Sequence, residues 1–138
     1  MTDTNEIVKY VKQNSRNKIV FCHEDIDGIR FVNVGFILSQ LLNDEGNFEN
    51  GYQLLSNSIL NRTQYNELIG DYIAIENIGI LFEPELKLDL CNILEYFSHN
   101  QCFIIKSEAE IRDDKYYFLI REDLATITLS GLSYKLIQ

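Results

Sequence analysis

The sequence predicts a single α/β domain over residues 1–138, in which helices flank a mostly parallel sheet. Three largely apolar segments, 18–22, 72–76 and 101–106, have the composition of strands that are buried on both faces. A helical pattern lies between the second and the third of them, as in a strand–helix–strand unit of a parallel sheet. The length of 138 residues and the apolar content of 46% suffice for one core without disulfides or metal.

The first half of the chain is predicted to hold three helices and two strands. Capping residues at 2–4, followed by apolar residues at helical spacing, predict the first helix. Two short apolar stretches close together predict the strands, and broad apolar faces predict two further helices on either side of a polar loop. In order, these elements are helix 4–14, strand 18–22, strand 30–34, helix 35–42, loop 43–50 and helix 52–69. The pattern of the last helix leaves open a break near Asn61.

The second half is predicted to alternate strands with one helix. Gly70 is well placed to end the helix 52–69, and strand 72–76 follows it directly. Pro84 stands where a first helical residue is expected, because its missing N–H costs nothing there, and an apolar stripe extends the helix to about Asn100. Three further segments predict strands: 101–106, 116–120 and 125–129.

The composition restricts the class of partner. The formal net charge of -9 argues against a nonspecific grip on nucleic acid, which depends on basic residues. No apolar run approaches the length of a membrane span, and the three cysteines form no C-x-x-C pair, which suits reduced, packed thiols. We therefore expect a cytoplasmic protein that contacts neither nucleic acid nor membrane directly and that binds a protein or a small molecule.

Glu76 ends the strand 72–76 and is the first candidate functional residue. An acid in this position of a parallel sheet lies at the carboxyl edge, where ligands bind. It can hold a metal ion or polarise a water molecule there. The alternative is that its carboxylate only caps the neighbouring loop.

The loop after the first strand decides whether a nucleotide site is expected. A phosphate loop has the pattern G-x-x-x-x-G-K-[S/T], whose backbone N–H groups and lysine cradle phosphates. Residues 23–28 read His-Glu-Asp-Ile-Asp-Gly, with one glycine, no lysine and three carboxylates. Acids at this position repel a triphosphate. We therefore predict no cofactor, no cofactor-binding residue and no catalytic residue.

The region from Glu76 to Asn100 resembles a known family. Residues 76–89 read Glu-Asn-Ile-Gly-Ile-Leu-Phe-Glu-Pro-Glu-Leu-Lys-Leu-Asp. With the residues that follow them to Asn100, they are similar to the Walker B region of BrxF, the small P-loop protein of certain BREX phage-defence systems. Weaker similarity is found at residues 32–34, 38–42, 116–119 and 122–124.

The resemblance implies a P-loop NTPase-like fold and a role in antiviral defence. The family's Walker A loop and the helix after it have no counterpart here, because residues 22–31 lead directly from the first strand to the second. The Walker B aspartate falls on Glu76. We therefore expect a degenerate P-loop protein that is not an enzyme and that binds larger defence-system subunits or a second copy of itself. By analogy of fold, the expected contact residues are Asp25, Asp27 and Glu76.

The loop after the first strand also offers an alternative function. Its His23-x-Asp25-x-Asp27-Gly28 pattern matches H-x-D-x-D-G, the first motif of the DHH phosphoesterases. His23, Asp25 and Asp27, with Glu76, would then hold Mn²⁺ or Mg²⁺, and a second metal would permit phosphodiester hydrolysis. That family also needs a later aspartate and an Asp-His-His run, which the later strand ends do not supply. A solvated acidic turn is the simpler interpretation, and both interpretations stay open.

Overall fold

The computed structural model of the protein describes residues 4–13, 16–45, 51–60, 62–82, 86, 88–118 and 126–137. The helices are α1 (Asn5–Lys12), α2 (Val34–Glu45), α3 (Gly51–Leu60) and α4 (Leu90–Ser98), with a 3-10 helix at Ile78–Phe82. The strands are β1 (Ile19–Cys22), β2 (Val32–Asn33), β3 (Gln64–Asn66), β4 (Gly70–Glu76), β5 (Cys102–Lys106), β6 (Ala109–Arg112), β7 (Lys115–Phe118), β8 (Thr126–Thr128) and β9 (Tyr134–Ile137). None of the helices in these ranges is long and apolar enough to cross a membrane.

The main sheet is parallel except for one strand. Its strands follow the order β2–β4–β5–β1–β9, and β3 pairs antiparallel with the first half of β4. In the centre, Ile73 lies opposite Phe103, and Phe103 lies opposite Ile19. The predicted mostly parallel sheet is therefore confirmed, and β4, α4 and β5 form the predicted strand–helix–strand unit.

Helices cover one face of the main sheet. Alternate residues of its strands, among them Ile73, Ile75 and Phe103, pack there against buried side chains of α2, α3 and α4. The second sheet contributes Tyr116 and Ile127 to the same core. We call this side the helical face.

The other face of the main sheet is covered by α1 and by the connection from β1 to β2, residues 23–31. This connection contributes Ile26, Ile29 and Phe31 to a second core, which also contains Tyr72 and Ile104 of the sheet. Residues 23–31 form no helix, but their apolar side chains cover this face of the sheet. We call this side the loop face.

A buried polar network joins several elements near the amino end of β1. Asn17 is fully buried, and its Nδ2 donates a hydrogen bond to Ser98 Oγ at the end of α4. Its backbone oxygen accepts a hydrogen bond of 2.9 Å from the Tyr10 hydroxyl of α1. The N–H of Ser133, just before β9, donates to Asn17 Oδ1. The polar atoms of Asn17 thus connect α1, α4 and β9 to the start of β1.

Helix α3 ends at Leu60, next to the break that the sequence left open near Asn61, and the continuous helix to residue 69 is wrong because the chain there forms the hairpin of β3 and β4. The side chain of Asn66 explains why the chain turns back here. Its Oδ1 accepts hydrogen bonds from the N–H groups of Leu68 and Ile69, which closes a turn between the two strands. This local bond competes with the helix that the spacing of apolar residues predicts.

The strands predicted at 116–120 and 125–129 do not join the main sheet. Strands β7 and β8 form a separate antiparallel sheet with β6, while residues 119–125 lie outside the described residues. Asp113 and Asp114 have φ angles of 52° and 58°, as the two-residue turn between β6 and β7 requires. Strand β9, which the sequence analysis missed, forms the far edge of the main sheet.

The helix predicted from Pro84 begins later than expected. Pro84 lies outside the described residues, and α4 starts at Leu90. Asp89 caps this helix, because its side chain accepts a hydrogen bond of 3.2 Å from the N–H of Asn92. In the predicted loop 43–50, α2 continues to Glu45 and residues 46–50 lie outside the described residues.

Candidate functional site

Three neighbouring strands bring charged residues together at the carboxyl edge of the main sheet. Strand β5 lies between β4 and β1 and ends at Lys106. Glu76 ends β4 on one side, and Asp25 follows β1 on the other side. The expected position of Glu76 at this edge of a parallel sheet is therefore observed.

The Lys106 ammonium contacts both carboxylates. Its Nζ lies 2.8 Å from Oε1 of Glu76 and forms a second ion pair with Oδ1 of Asp25. The same Nζ lies 4.8 Å from the centroid of the Phe31 ring, where a cation–π contact is favourable. We refer to Lys106, Asp25, Glu76 and Phe31 as the carboxyl-edge cluster.

The alternation of side chains along the strands explains this arrangement. Ile75 of β4 lies opposite Ile105 of β5, and both side chains point to the helical face. The next residues, Glu76 and Lys106, therefore point to the loop face, where Phe31 packs. Because the register puts them side by side, their opposite charges meet without any special backbone geometry.

The ion pairs keep Lys106 charged. Burial of the side chain, which is 21% exposed, lowers the pKa of Lys106, but the hydrogen bonds and charges of Asp25 and Glu76 raise it more. The net pKa is therefore above the ordinary value of 10.5. Lys106 is a permanent cation between two acids and is not suited to act as a general base near neutral pH.

The other predicted metal ligands lie elsewhere. His23 Nε2 is within hydrogen-bonding distance, 3.1 Å, of the backbone oxygen of Ala109 at the start of β6. Asp27 is exposed in the turn before Gly28. In the parts of the chain that the structure describes, no group of three or more His, Cys, Asp or Glu residues is placed to hold a metal ion. The structure thus brings Asp25 and Glu76 together through Lys106, without His23 or Asp27, and metal binding stays a prediction.

The segment 23–31 is fixed on the loop face instead of forming an open phosphate loop. Its Ile26 side chain is buried in the core of that face. The N–H of Ile29 donates to the oxygen of Ile26, and the N–H of Arg30 donates to the Tyr72 hydroxyl at 3.0 Å. These two N–H groups are engaged within the protein and do not point together at a common anion site, as the N–H groups of a phosphate loop do.

Burial also keeps Cys22, the last residue of β1, in its thiol form. Burial is the main reason that the pKa of Cys22 rises to about 12. The Lys106 charge lowers this pKa, while the charges of Asp25 and Glu24 raise it further. Because the thiolate is the nucleophilic form, Cys22 is a packed thiol and not a nucleophile.

A tight contact between α2 and the chain after β4 borders the cluster. Asn77, at φ 56°, donates from Nδ2 to Asn33 Oδ1 at 2.8 Å. The same Asn33 oxygen accepts from the N–H of Phe36 and so caps α2. A Cβ on Gly35 would lie 2.7 Å from Cγ of Asn77, which no ordinary contact allows. Only a glycine at position 35 lets α2 begin this close to Asn77.

The role of Lys106 was not predicted from the sequence. The residue was visible as a charge at the end of an apolar strand, the same signal that singled out Glu76. Its partners depend on β5 lying between β4 and β1. The order of strands that are distant along the chain could not be obtained from the sequence pattern.

No family model matches the chain, and neither the curated proteins nor the solved structures include a match to it.

Proposed function

We propose that the protein is a non-catalytic subunit of a bacterial antiviral defence complex and acts in the cytoplasm through contacts with other proteins. The defence role rests on the resemblance of residues 76–100 to the BrxF family. The α/β fold with its mostly parallel sheet is an independent observation that is compatible with that resemblance. The non-catalytic role rests on the carboxyl-edge cluster.

The position of Lys106 is the observation that carries this proposal. In a P-loop enzyme, an acid at the end of a strand helps to bind the metal ion of the nucleotide, and a lysine of the phosphate loop contacts the phosphates. Here the Lys106 ammonium contacts both acids, Asp25 and Glu76. Binding Mg²⁺ or a triphosphate at this edge would require these ion pairs to break first.

The intact sheet and the acidic charge favour docking to another protein. The net charge of -9 works against binding to nucleic acid. Strands and helices bury two apolar cores, which give the chain a defined folded surface. The exposed side chains of Asp25 and Asp27 lie on the segment 23–31, which makes this segment the proposed contact region with a larger subunit.

Affinity purification from a host that carries the neighbouring genes tests the proposal. We expect the tagged protein to retain a larger subunit, and the Asp25→Lys/Asp27→Lys variant to retain about tenfold less because of charge repulsion. Glu110→Lys, a reversal of another exposed acid on β6, is the matched control and should behave as the wild type. Recovery of the wild type as a bare monomer, or tight binding to duplex DNA near physiological salt, would overturn the proposal.

A further inference from the structure

The β3–β4 hairpin exposes two large apolar side chains at one edge of the main sheet. Tyr65, in the middle of β3, is 70% exposed, and Leu68, in the turn of the hairpin, is 63% exposed. Strand β3 pairs with β4 on its inner side, and no other strand of the described residues pairs with it. The outer side of β3 is therefore a sheet edge with apolar side chains beside it.

Acidic residues accompany these two side chains. Glu67 lies between them in sequence and is exposed. Asp71 of β4 lies directly opposite Tyr65, so that both side chains project from the same face of the sheet. We refer to Tyr65, Glu67, Leu68 and Asp71 as the hairpin surface.

The turn geometry fixes the hairpin surface in place. Asn66 Nδ2 donates to the backbone oxygen of Gly28, which joins the hairpin to the segment 23–31. Gly28 has a φ angle of 78°, which a residue with a side chain rarely adopts. The exposed Asp27 precedes Gly28, so this hydrogen bond joins the hairpin to the segment that was proposed above as a contact region.

The two edge strands of the main sheet, β9 and β3, differ in charge, and charge affects whether another strand can pair with them. The far edge, β9, carries Lys135, whose Nζ lies 4.0 Å from Oε1 of Glu6 in α1. A lysine on an edge strand discourages pairing with another strand. Strand β3 consists of Gln64, Tyr65 and Asn66 and has no charge of its own. Among the described residues, no strand pairs with the outer side of β3, and no lysine on β3 discourages an added strand there.

The charges near β3 favour a cationic segment of another protein over a second copy of this chain as the binding partner at this edge. Pairing with a second copy of the chain would bring Glu67 and Asp71 of one copy close to the same residues of the other, in a protein whose net charge is already -9. Like charges placed opposite each other destabilise paired strands. A cationic segment would instead neutralise these acids and bury Tyr65 and Leu68.

We propose that the hairpin surface docks an extended segment of a partner protein, in which lysine or arginine alternates with apolar residues and which adds to the main sheet beside β3. Because β3 has three residues, the backbone ladder supplies few hydrogen bonds, and side chains must supply most of the affinity. The inference rests on the proposed docking function and names the surface and the partner chemistry within it.

A binding assay with two synthetic peptides tests this inference. The probes are fluorescent ten-residue peptides, one alternating lysine with valine and one alternating glutamate with valine, titrated with the full chain and followed by anisotropy. We expect the lysine peptide to bind at least about tenfold more tightly than the glutamate peptide, and its affinity to fall with added salt.

Variants of the hairpin surface complete the test. Glu67→Lys/Asp71→Lys and, separately, Tyr65→Ser should each weaken binding of the lysine peptide by about tenfold. Phe36→Ser, at an apolar residue of α2 that is 59% exposed, and Glu110→Lys are the matched controls and should bind as the wild type. Circular dichroism of each variant verifies that the fold is retained.

Equal affinity for the two peptides, no measurable binding, or unchanged binding by the hairpin variants would overturn the inference. So would a dimer in light scattering that Tyr65→Ser dissolves, because a second copy would then occupy the edge. Peptide binding without retention of a larger subunit from the host would contradict the proposed function alone. Retention that the hairpin variants leave unchanged would contradict this inference alone.

Discussion

Lys106 and Glu76 end neighbouring parallel strands on the same face of the main sheet, and 2.8 Å separates Nζ of the one from Oε1 of the other. Asp25, which follows a third strand, contacts the same ammonium. One cation therefore links three segments that are distant along the chain. The two acids at this edge of the sheet are therefore paired within the protein.

A double-mutant cycle measures the strength of this link. Lys106→Met, Glu76→Gln and the double variant should give a coupling free energy of about 1 kcal/mol in urea unfolding, because the pair is partly buried and belongs to a network. The exposed pair of Arg16 and Glu95, also 2.8 Å apart, is the matched control and should give about 0.5 kcal/mol or less. Equal couplings for the two pairs would contradict a special role for Lys106.

The response to Mn²⁺ separates the proposed function from the phosphoesterase alternative. We expect added Mn²⁺ to leave the melting temperature of the wild type unchanged, because Lys106 already contacts Asp25 and Glu76. A rise of several degrees in the wild type that is absent from Asp25→Ala/Asp27→Ala would support metal binding at His23, Asp25 and Asp27. Without Mn²⁺, Asp27→Ala should leave stability unchanged, whereas Asp25→Ala should lower it slightly because it removes an ion pair.

Gly35 is predicted to tolerate no side chain. In Gly35→Ala the new Cβ would approach Cγ of Asn77 to 2.7 Å and its backbone oxygen to 2.8 Å. We expect a loss of about 1–3 kcal/mol in the free energy of unfolding, as for other overpacked positions. Adding Asn77→Gly should recover part of this loss, because it removes the side chain and suits the φ angle of 56°. A thermal melt of Gly35→Ala that matches the wild type would show that α2 can shift freely.

Alkaline pH is predicted to destabilise the fold. Burial raises the pKa of Cys22 and of Cys102 from 9.0 to about 12, whereas both thiols ionise near the ordinary value once the chain unfolds. As the pH rises, these thiols therefore lose their protons in the unfolded state before they do so in the folded state. The free energy of unfolding has its full value below pH 9 and declines as the pH rises toward 12. Burial contributes to a raised pKa of about 12 for Tyr116 as well, and that group acts in the same direction.

Urea midpoints at about pH 8 and about pH 10.5 measure this decline. In Cys102→Ala, which removes one buried thiol, the loss between the two pH values should be smaller than in the wild type. The partly exposed Cys91 is the control, and Cys91→Ala should change the decline less than Cys102→Ala does. A decline of the same size in Cys102→Ala and the wild type would contradict the assignment.

The main sheet could be predicted from the sequence because its central strands are buried on both faces. The apolar segments at 18–22, 72–76 and 101–106 correspond to β1, β4 and β5, and the position of Glu76 followed from the end of its strand. The carboxyl-edge cluster could not be predicted, because it depends on the order of strands that do not follow each other in the chain. Lys106 was therefore recognised as a strand end but not as the partner of both acids.

The hairpin of β3 and β4 shows where periodicity misleads. Tyr65 and Leu68 continue the helical spacing of the apolar residues in α3, yet both are largely exposed. The turn at Asn66 depends on hydrogen bonds from a side chain to the N–H groups of Leu68 and Ile69. Such bonds leave no periodic signal, so Tyr65 and Leu68 were included in the helical pattern of residues 52–69.

Calorimetry with ATP and Mg²⁺ tests most directly the central claim, that the carboxyl edge of the sheet is paired within the protein and is not a nucleotide site. We expect an affinity no tighter than millimolar, because Lys106 is held by Asp25 and Glu76 and the N–H groups of Ile29 and Arg30 are engaged on the loop face. A micromolar dissociation constant would contradict it, since binding of that strength needs several converging N–H donors and a free lysine.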